Sequence, residues 1–61
     1  MPPIEYVEID FDEFECETEK AYLFIVEGEK IWIPKSICRD IDEDLNTVYI
    51  PEWFAEQEDL I

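Results

Sequence analysis

The acidity of this chain is the feature that most limits how it can fold. Eighteen of its 61 residues are Asp or Glu, against four Lys or Arg and no His, so the formal charge at pH 7 is -14. A compact fold brings these mutually repelling carboxylates together. The chain is nevertheless 48% hydrophobic and 15% aromatic, whereas disordered acidic tails lack such residues. We therefore expect a folded domain whose acidic surface binds a basic partner.

Length and composition predict that residues 1–61 form a single small acidic domain. A core of this size contributes only about 3–5 kcal/mol, so a partner or a homodimer would add stability. The first residues lack the basic segment of a secretion signal, and the longest apolar run, residues 21–26, is too short for a membrane span. A polyanion also repels nucleic acids and anionic lipids. We thus expect neither direct nucleic-acid binding nor membrane binding.

Acidic and apolar residues alternate in two runs near the start of the chain, as in strands with one buried face. The first run sets Val7, Ile9 and Phe11 against Glu8, Asp10 and Asp12. The second sets Phe14, Cys16 and Thr18 against Glu13, Glu15, Glu17 and Glu19. Between the runs the phase slips by one residue, which would turn side chains to the wrong face. A bulge or tight bend is therefore expected near Asp12 and Glu13.

The remaining elements are strands followed by one helix. Residues 21–26 are apolar on both faces, as in a central strand, and Glu27-Gly28-Glu29 forms the turn into a returning strand that Pro34 ends. Residues 37–41 are weakly strand-like, and residues 47–50 form a short strand. Pro51 suits the first position of a helix that puts Trp53, Phe54 and Gln57, with Leu60 further on, near one side. The prediction is a mainly β fold, small α+β, with four or five short antiparallel strands and a short C-terminal helix.

The acidic rows suggest a mode of binding. Every second residue of a strand projects to the same side, about 6.6–6.8 Å apart, and a nucleic-acid backbone also presents evenly spaced negative charges. A groove that captures phosphates with Lys and Arg would accept such a row. The candidate partner-binding residues are Glu8, Asp10, Asp12, Glu13, Glu15, Glu17 and Glu19. The alternative is that these side chains are solvated positions that keep the protein soluble and protect sheet edges.

Trp32 is a second candidate contact. Its parity is opposite to that of Ile31 and Ile33, so it faces away from their core, and Trp is enriched at binding hot spots. The preferred alternative is that Trp32 packs under the C-terminal helix, because so small a protein needs its aromatic residues for stability. Nearby Lys35, one of four basic residues, is expected to hold a local cluster of carboxylates.

No pattern in the sequence supports a metal, cofactor or catalytic site. Residues 40–46 begin like a calcium-binding loop, but Leu45 replaces the required Gly and Pro51 replaces the final acid, so an acidic turn is expected. There is no His, no Gly-rich phosphate loop and no nucleophile motif, and we predict a non-enzymatic protein without cofactors. Cys16 and Cys38 are interpreted as buried free thiols in a reducing cytosol, with a disulfide between them as the less favoured alternative.

Three segments carry a resemblance to a set of small phage and prophage proteins. They are Lys20-Ala21-Tyr22-Leu23, Trp32-Ile33-Pro34-Lys35-Ser36 and Ile50-Pro51-Glu52-Trp53-Phe54-Ala55, followed by a terminal Leu60-Ile61. The resemblance covers residues 20–61 and implies a host bacterial cytoplasm during infection, but it provides no functional residues. The very acidic first twenty residues depart from that set. In general character, the chain also resembles acidic anti-CRISPR and anti-restriction proteins that imitate nucleic acid.

The leading hypothesis is therefore an inhibitor that occupies a basic, nucleic-acid-binding surface of a host defence protein by imitating phosphate charge. The alternative is a phage accessory or assembly module that binds through Trp32, Tyr49 and the C-terminal helix, with acidity serving solubility. The two differ in their response to salt. Phosphate mimicry weakens steeply as ionic strength rises, whereas an aromatic interface is largely insensitive to it.

Overall fold

A computed structural model describes residues 3–61 and, within them, places six strands and one α-helix. The strands are β1 (Tyr6–Asp10), β2 (Glu13–Glu17), β3 (Ala21–Val26), β4 (Glu29–Pro34), β5 (Arg39–Asp42) and β6 (Thr47–Pro51). A 3-10 turn spans Lys35–Ile37, and helix α1 spans Glu52–Gln57. The predicted class, mainly β with a short C-terminal helix, is confirmed. The strand number exceeds the expected four or five, because the weakly strand-like segment after the 3-10 turn pairs with β6.

The strands form two antiparallel sheets of three strands each. The strand order is β1-β6-β5 in the first sheet and β2-β3-β4 in the second. The chain passes from one sheet to the other between Phe11 and Asp12. The Phe11 N–H donates to the Asn46 carbonyl (2.9 Å), and the Asp12 N–H donates to the Ile25 carbonyl of β3 (2.7 Å). The bend predicted near Asp12 is therefore present, and it is the corner that joins the sheets.

The turn between β3 and β4 has the backbone that a tight hairpin requires. Val26 pairs with Glu29, so Glu27 and Gly28 form a two-residue turn. Both have positive φ angles, 52° and 82°, as expected for the turn type that matches the twist of antiparallel strands. The Asp12 carboxylate accepts a hydrogen bond from the Gly28 N–H (3.2 Å). The corner and the hairpin turn therefore support each other.

The core combines inward-facing residues of both sheets with helix α1. Its members are Ile9, Phe11, Phe24, Val26, Ile31, Ile33, Cys38, Val48, Ile50, Phe54 and Ala55. Phe24 is completely buried. Its ring centroid lies 4.6 Å from that of Phe11 and 5.3 Å from that of Phe14. These contacts join β3 to both sides of the corner.

Helix α1 packs on β1 and β6 of the first sheet. Phe54 and Ala55 are buried, whereas Trp53 is 52% exposed. The expectation that Trp53 and Phe54 share one side is wrong, because consecutive helical residues are separated by about 100° at 3.6 residues per turn. Leu60 is half-buried against the core, as predicted. Asp59, at a φ of 57°, turns the chain back so that the Leu60 N–H reaches the Ala55 carbonyl (2.8 Å).

The two cysteines are free and have different environments. Cys38 is buried, as predicted, and burial raises the pKa of its thiol to about 11. Cys16 is exposed, contrary to the prediction. It pairs across the strands with Leu23 rather than continuing the phase of Phe14, because the register shifts between Phe14 and Cys16.

The difference in exposure predicts two rates of thiol modification. A thiol-specific disulfide reagent at mildly alkaline pH is expected to react quickly with Cys16 and with Cys38 only after unfolding, because the thiolate is the reactive form. The measurement is the number of thiols titrated with and without denaturant. Cys16→Ser is expected to remove the fast phase and keep the slow one. Two equally fast thiols in the native protein would contradict the buried position of Cys38.

Candidate functional site

All 18 acidic side chains lie at least partly open to solvent, and none is buried. The part of the chain described contains two ion pairs that offset them. Lys30 Nζ lies 3.6 Å from Glu15 Oε1, and Lys35 Nζ lies 2.6 Å from Glu17 Oε2. Most carboxylates therefore have no basic partner among residues 3–61.

The first predicted row is present on β1. Glu8 and Asp10 are exposed, and Ile9 between them is buried, which confirms the alternation. Glu8 pairs with Tyr49 across the strands and accepts a hydrogen bond from its hydroxyl (3.2 Å). That bond to a carboxylate raises the pKa of the Tyr49 phenol. Asp12 lies beyond β1, at the corner, where it binds the Gly28 N–H.

The second predicted row does not form one face. A bulge lies between Phe14 and Cys16, so Glu13 pairs with Ile25 whereas Glu17 pairs with Tyr22. Residues 22 and 25 of β3 have opposite parity and point to opposite faces of the sheet. Glu13 and Glu17 consequently lie on opposite faces, and Glu19 lies beyond the end of β2. The row fails because local alternation does not reveal that Glu15 is an inserted residue.

Glu17 instead joins a group of acids that are distant in the sequence. Together with Asp40, Asp42, Glu43 and Asp44 it lines an open groove of about 700 Å³. Phe14, Tyr22 and Ile41 provide its apolar part. Residues 40–46 were predicted to form an acidic turn, but residues 40–42 belong to strand β5 and only the rest form the turn. The sequence did not reveal that these acids line one groove with Glu17. Their position in one groove depends on how the two sheets pack. The run of acids at residues 40–44 was the one local feature of the sequence that pointed to this groove.

Lys35 contacts two of the residues that line this groove, Glu17 and Tyr22. Its ammonium group lies 5.0 Å from the centroid of the Tyr22 ring while it donates to Glu17. The hydrogen bond to the Glu17 carboxylate raises the pKa of Lys35 above its ordinary value. Lys35 therefore pairs with one carboxylate, Glu17, rather than with the predicted cluster. A carboxylate beside an aromatic face is an arrangement that attracts Lys and Arg side chains.

The β1 acids and the groove acids of β5 lie on opposite edge strands of the first sheet. β1 and β5 are the two outer strands of the first sheet, with β6 between them. Glu8 and Asp10 therefore belong to one edge, and Asp40 with its neighbours belongs to the other. The seven predicted residues do not form a continuous surface.

Trp32 lies away from both acidic regions. It is 48% exposed, and its neighbour across the strands is Leu23. Helix α1 packs on the other sheet, so the preferred expectation that Trp32 packs beneath the helix is wrong. Trp32 belongs instead to the outer face of β2-β3-β4, where its parity placed it.

The acidic turn after β5 is stabilised from within. Asp42 Oδ1 accepts hydrogen bonds from the Asp44 N–H (2.9 Å) and the Leu45 N–H (3.1 Å). Asp40 and Asn46 have positive φ angles of 47° and 56°, which Asp and Asn tolerate better than most residues. Residues 3–61 include no group of three or more Cys, Asp or Glu side chains arranged to hold a metal ion.

Carboxylates repel one another at the start of helix α1. The charge of Glu5 raises the pKa of the Glu52 carboxyl above its ordinary value, and loss of solvation and Glu56 add to this effect. A raised pKa means that the folded state binds protons more tightly than the unfolded state. This carboxylate therefore opposes folding at neutral pH, and the opposition disappears as it is protonated.

We predict that the melting temperature rises as pH falls from neutral towards the ordinary Glu pKa of about 4.3. Glu52→Gln is expected to raise the melting temperature at pH 7, with a gain that vanishes below that pKa. Glu5→Gln, which removes the other charge of the pair, should give a similar gain. Calorimetry over a pH series is the measurement. A lower melting temperature for Glu52→Gln at pH 7 would show that the helix N-terminus stabilises this anion more than Glu5 repels it.

Comparisons with known proteins yield no match, whether with family models, curated proteins or solved structures. Function must therefore be inferred from the site itself. Over residues 3–61, no helix combines the length and the apolar character needed to cross a membrane.

Proposed function

We propose that this protein is a non-enzymatic, phage-type inhibitor that binds a basic, nucleic-acid-binding surface of a host defence protein. The observation that carries the proposal is the excess of exposed carboxylates over internal ion pairs. Fifteen of the 18 acidic residues are exposed and the other three are half-buried. A fold that leaves so many repelling charges open to solvent gains stability when a cationic surface neutralises them.

The groove between β2 and β5 is the proposed principal contact. It gathers five carboxylates around an apolar floor, whereas the β1 row offers two carboxylates on an exposed strand. A Lys or Arg side chain of the partner would pair with a carboxylate there and lay its stem or guanidinium plane on Tyr22. Lys35 makes both contacts from within the chain, with Glu17 and Tyr22, so the groove carboxylates left for a partner are Asp40, Asp42, Glu43 and Asp44. The bacterial cytoplasm is the proposed location, on the basis of the phage resemblance.

An affinity capture from bacterial lysate tests this function. The tagged protein is expected to retain a basic protein, and added double-stranded DNA is expected to displace it, because both ligands compete for one surface. Raising the salt from about 0.1 M to about 1 M should also release it, since the screening length falls from about 10 Å to about 3 Å. A captured protein that resists both DNA and salt would favour the aromatic assembly module instead.

The same hypothesis predicts no affinity for nucleic acid itself. In a gel-shift assay at moderate salt, the protein should leave DNA and RNA unretarded, because phosphates and carboxylates repel each other. The basic protein captured above, assayed alone, serves as the positive control. Saturable retardation by the acidic chain would refute phosphate mimicry.

A further inference from the structure

The outer face of the β2-β3-β4 sheet is apolar and open to solvent. Parity on the central strand β3 places Ala21, Leu23 and Ile25 on this face, opposite to Phe24 and the core. Trp32, next to Leu23, is 48% exposed, and Ile25 is half-buried. Leu23 is 5% exposed but does not belong to the core cluster. Its neighbours on the outer face therefore shield it, and the face has an apolar centre.

Two charged residues of this face lie in one row of cross-strand neighbours. Glu13 of β2 pairs with Ile25 of β3, and Ile25 pairs with Lys30 of β4. The outer strand β2 thus presents Glu13 and the outer strand β4 presents Lys30, with Ile25 between them. Lys30 also pairs with Glu15 of its own chain at 3.6 Å, but its side chain is 66% exposed and leaves room for a second carboxylate. The next row of outward-facing neighbours consists of Cys16 on β2, Leu23 on β3 and Trp32 on β4.

We propose that this face binds a second copy of the same chain, forming a homodimer. A two-fold axis parallel to β3 places β2 of one copy opposite β4 of the other. Because the axis runs along the strands, each residue keeps its position along the strand direction. Glu13 of each copy then meets Lys30 of the other, and Cys16 meets Trp32. Ile25 and Leu23 lie on the axis and meet their own counterparts.

Charge complementarity selects this occupant. In a two-fold interface the same surface of both copies is used, so that surface must be complementary to itself. The order acid, apolar, base meets this requirement, because the axis sets the acid of each copy against the base of the other and so forms two ion pairs. Sheets that pack face to face keep their strands within about 30° of parallel and lie about 10 Å apart, a geometry that this axis provides. A perpendicular two-fold axis in the interface would instead set β2 against β2 and place acids opposite acids.

The remaining charge of the chain gives the dimer a characteristic salt dependence. Two chains of charge -14 repel each other outside the interface, and salt screens that repulsion. Dimerisation is therefore expected to strengthen as salt rises. Binding of a basic partner is expected to weaken over the same range. The dimer proposal does not depend on the proposed function, and opposite salt responses separate the two.

Sedimentation velocity on the full chain over a concentration series, at about 0.1 M and about 1 M NaCl, is the first measurement. The expected result is a concentration-dependent shift from monomer to dimer that moves to lower concentration at high salt. In a Trp53→Phe background, Trp32 is the remaining Trp, and its fluorescence should shift to the blue as the dimer forms. A monomer at all concentrations and both salt levels would overturn the proposal.

Charge reversal tests the geometry. In a Glu15→Gln background, which removes the ion pair that Lys30 makes within its own chain, Lys30→Glu is expected to weaken dimerisation by at least about tenfold, because Glu13 of the other copy then meets a like charge. The double variant Glu13→Lys with Lys30→Glu restores opposite charges and should recover dimerisation. Arg39→Glu makes the same charge change on β5 of the other sheet and should have a much smaller effect.

Circular dichroism checks folding, and the salt series of the unmodified chain decides the proposal if a variant fails to fold. Failure of a folded double variant to recover, or equal weakening by Arg39→Glu, would overturn the proposed axis.

Discussion

Phe24→Ala is expected to leave the protein unfolded in the absence of a ligand. Phe24 is fully buried, and its ring contacts those of Phe11 and Phe14 on either side of the corner. Truncation of a buried Phe to Ala costs about 3–5 kcal/mol. A core of this size provides about 3–5 kcal/mol in total. The loss therefore matches or exceeds the stability available.

Far-ultraviolet circular dichroism during urea denaturation is the measurement for this prediction. The parent should show a cooperative transition, and Phe24→Ala should show none. Trp53→Ala is the control, because Trp53 is 52% exposed and contacts Phe54 at a centroid distance of 5.7 Å. Its removal should cost about 1 kcal/mol or less. A cooperative transition of Phe24→Ala near the parental midpoint would contradict a shared core between the sheets.

Neutralising the groove is expected to produce the largest loss of partner affinity. The variant Asp40→Asn, Glu43→Gln, Asp44→Asn removes three charges and spares Asp42, which stabilises the turn through two hydrogen bonds. Asn is well suited to position 40, where φ is 47°. A charge-assisted hydrogen bond contributes about 1.5–3 kcal/mol. Each lost contact should thus weaken binding by about tenfold or more.

The β1 side of the molecule provides a matched control. Glu8→Gln, Asp10→Asn, Glu27→Gln also removes three exposed charges, which line one surface depression beside β1, and Gln at position 8 retains an acceptor for Tyr49. Titration calorimetry against an arginine homopeptide, and against the protein captured from lysate, compares the two variants. The groove variant is expected to lose more affinity for both ligands. Equal losses would show that net charge alone attracts the partner. A greater loss for the β1 variant would show that the partner binds the predicted row of acids on β1 instead of the groove.

The two proposed surfaces can coexist in one assembly. The dimer uses the outer face of β2-β3-β4, whereas the groove includes Phe14 and Tyr22 of the inner face together with the turn after β5. Dimerisation would therefore present two grooves to a partner. Two linked sites bind a partner with repeated basic surfaces more tightly than either site alone.

Local sequence was sufficient to locate most strands and the helix of this protein. The alternation of Val7 and Ile9 with Glu8 and Asp10 identified β1, the turn at Gly28 identified the β3-β4 hairpin, and Pro51 marked the approach to the helix. These features depend on residues close together in the chain, whose backbone preferences and periodicity are readable without the fold. The acidic character of the surface also followed from composition, because charged side chains are almost never buried without partners.

Tertiary structure decided where the charges and aromatic side chains meet. The bulge near Glu15 exists because β2 pairs with β3 in a shifted register, and it places Glu13 and Glu17 on opposite faces. The groove brings Glu17 to Asp40 because the inner face of one sheet packs near the edge of the other. Trp53 remains exposed because Phe54 and Ala55 fill the contact between helix α1 and the core. Each of these outcomes depends on contacts between residues distant in the sequence, which alternation along one strand cannot encode.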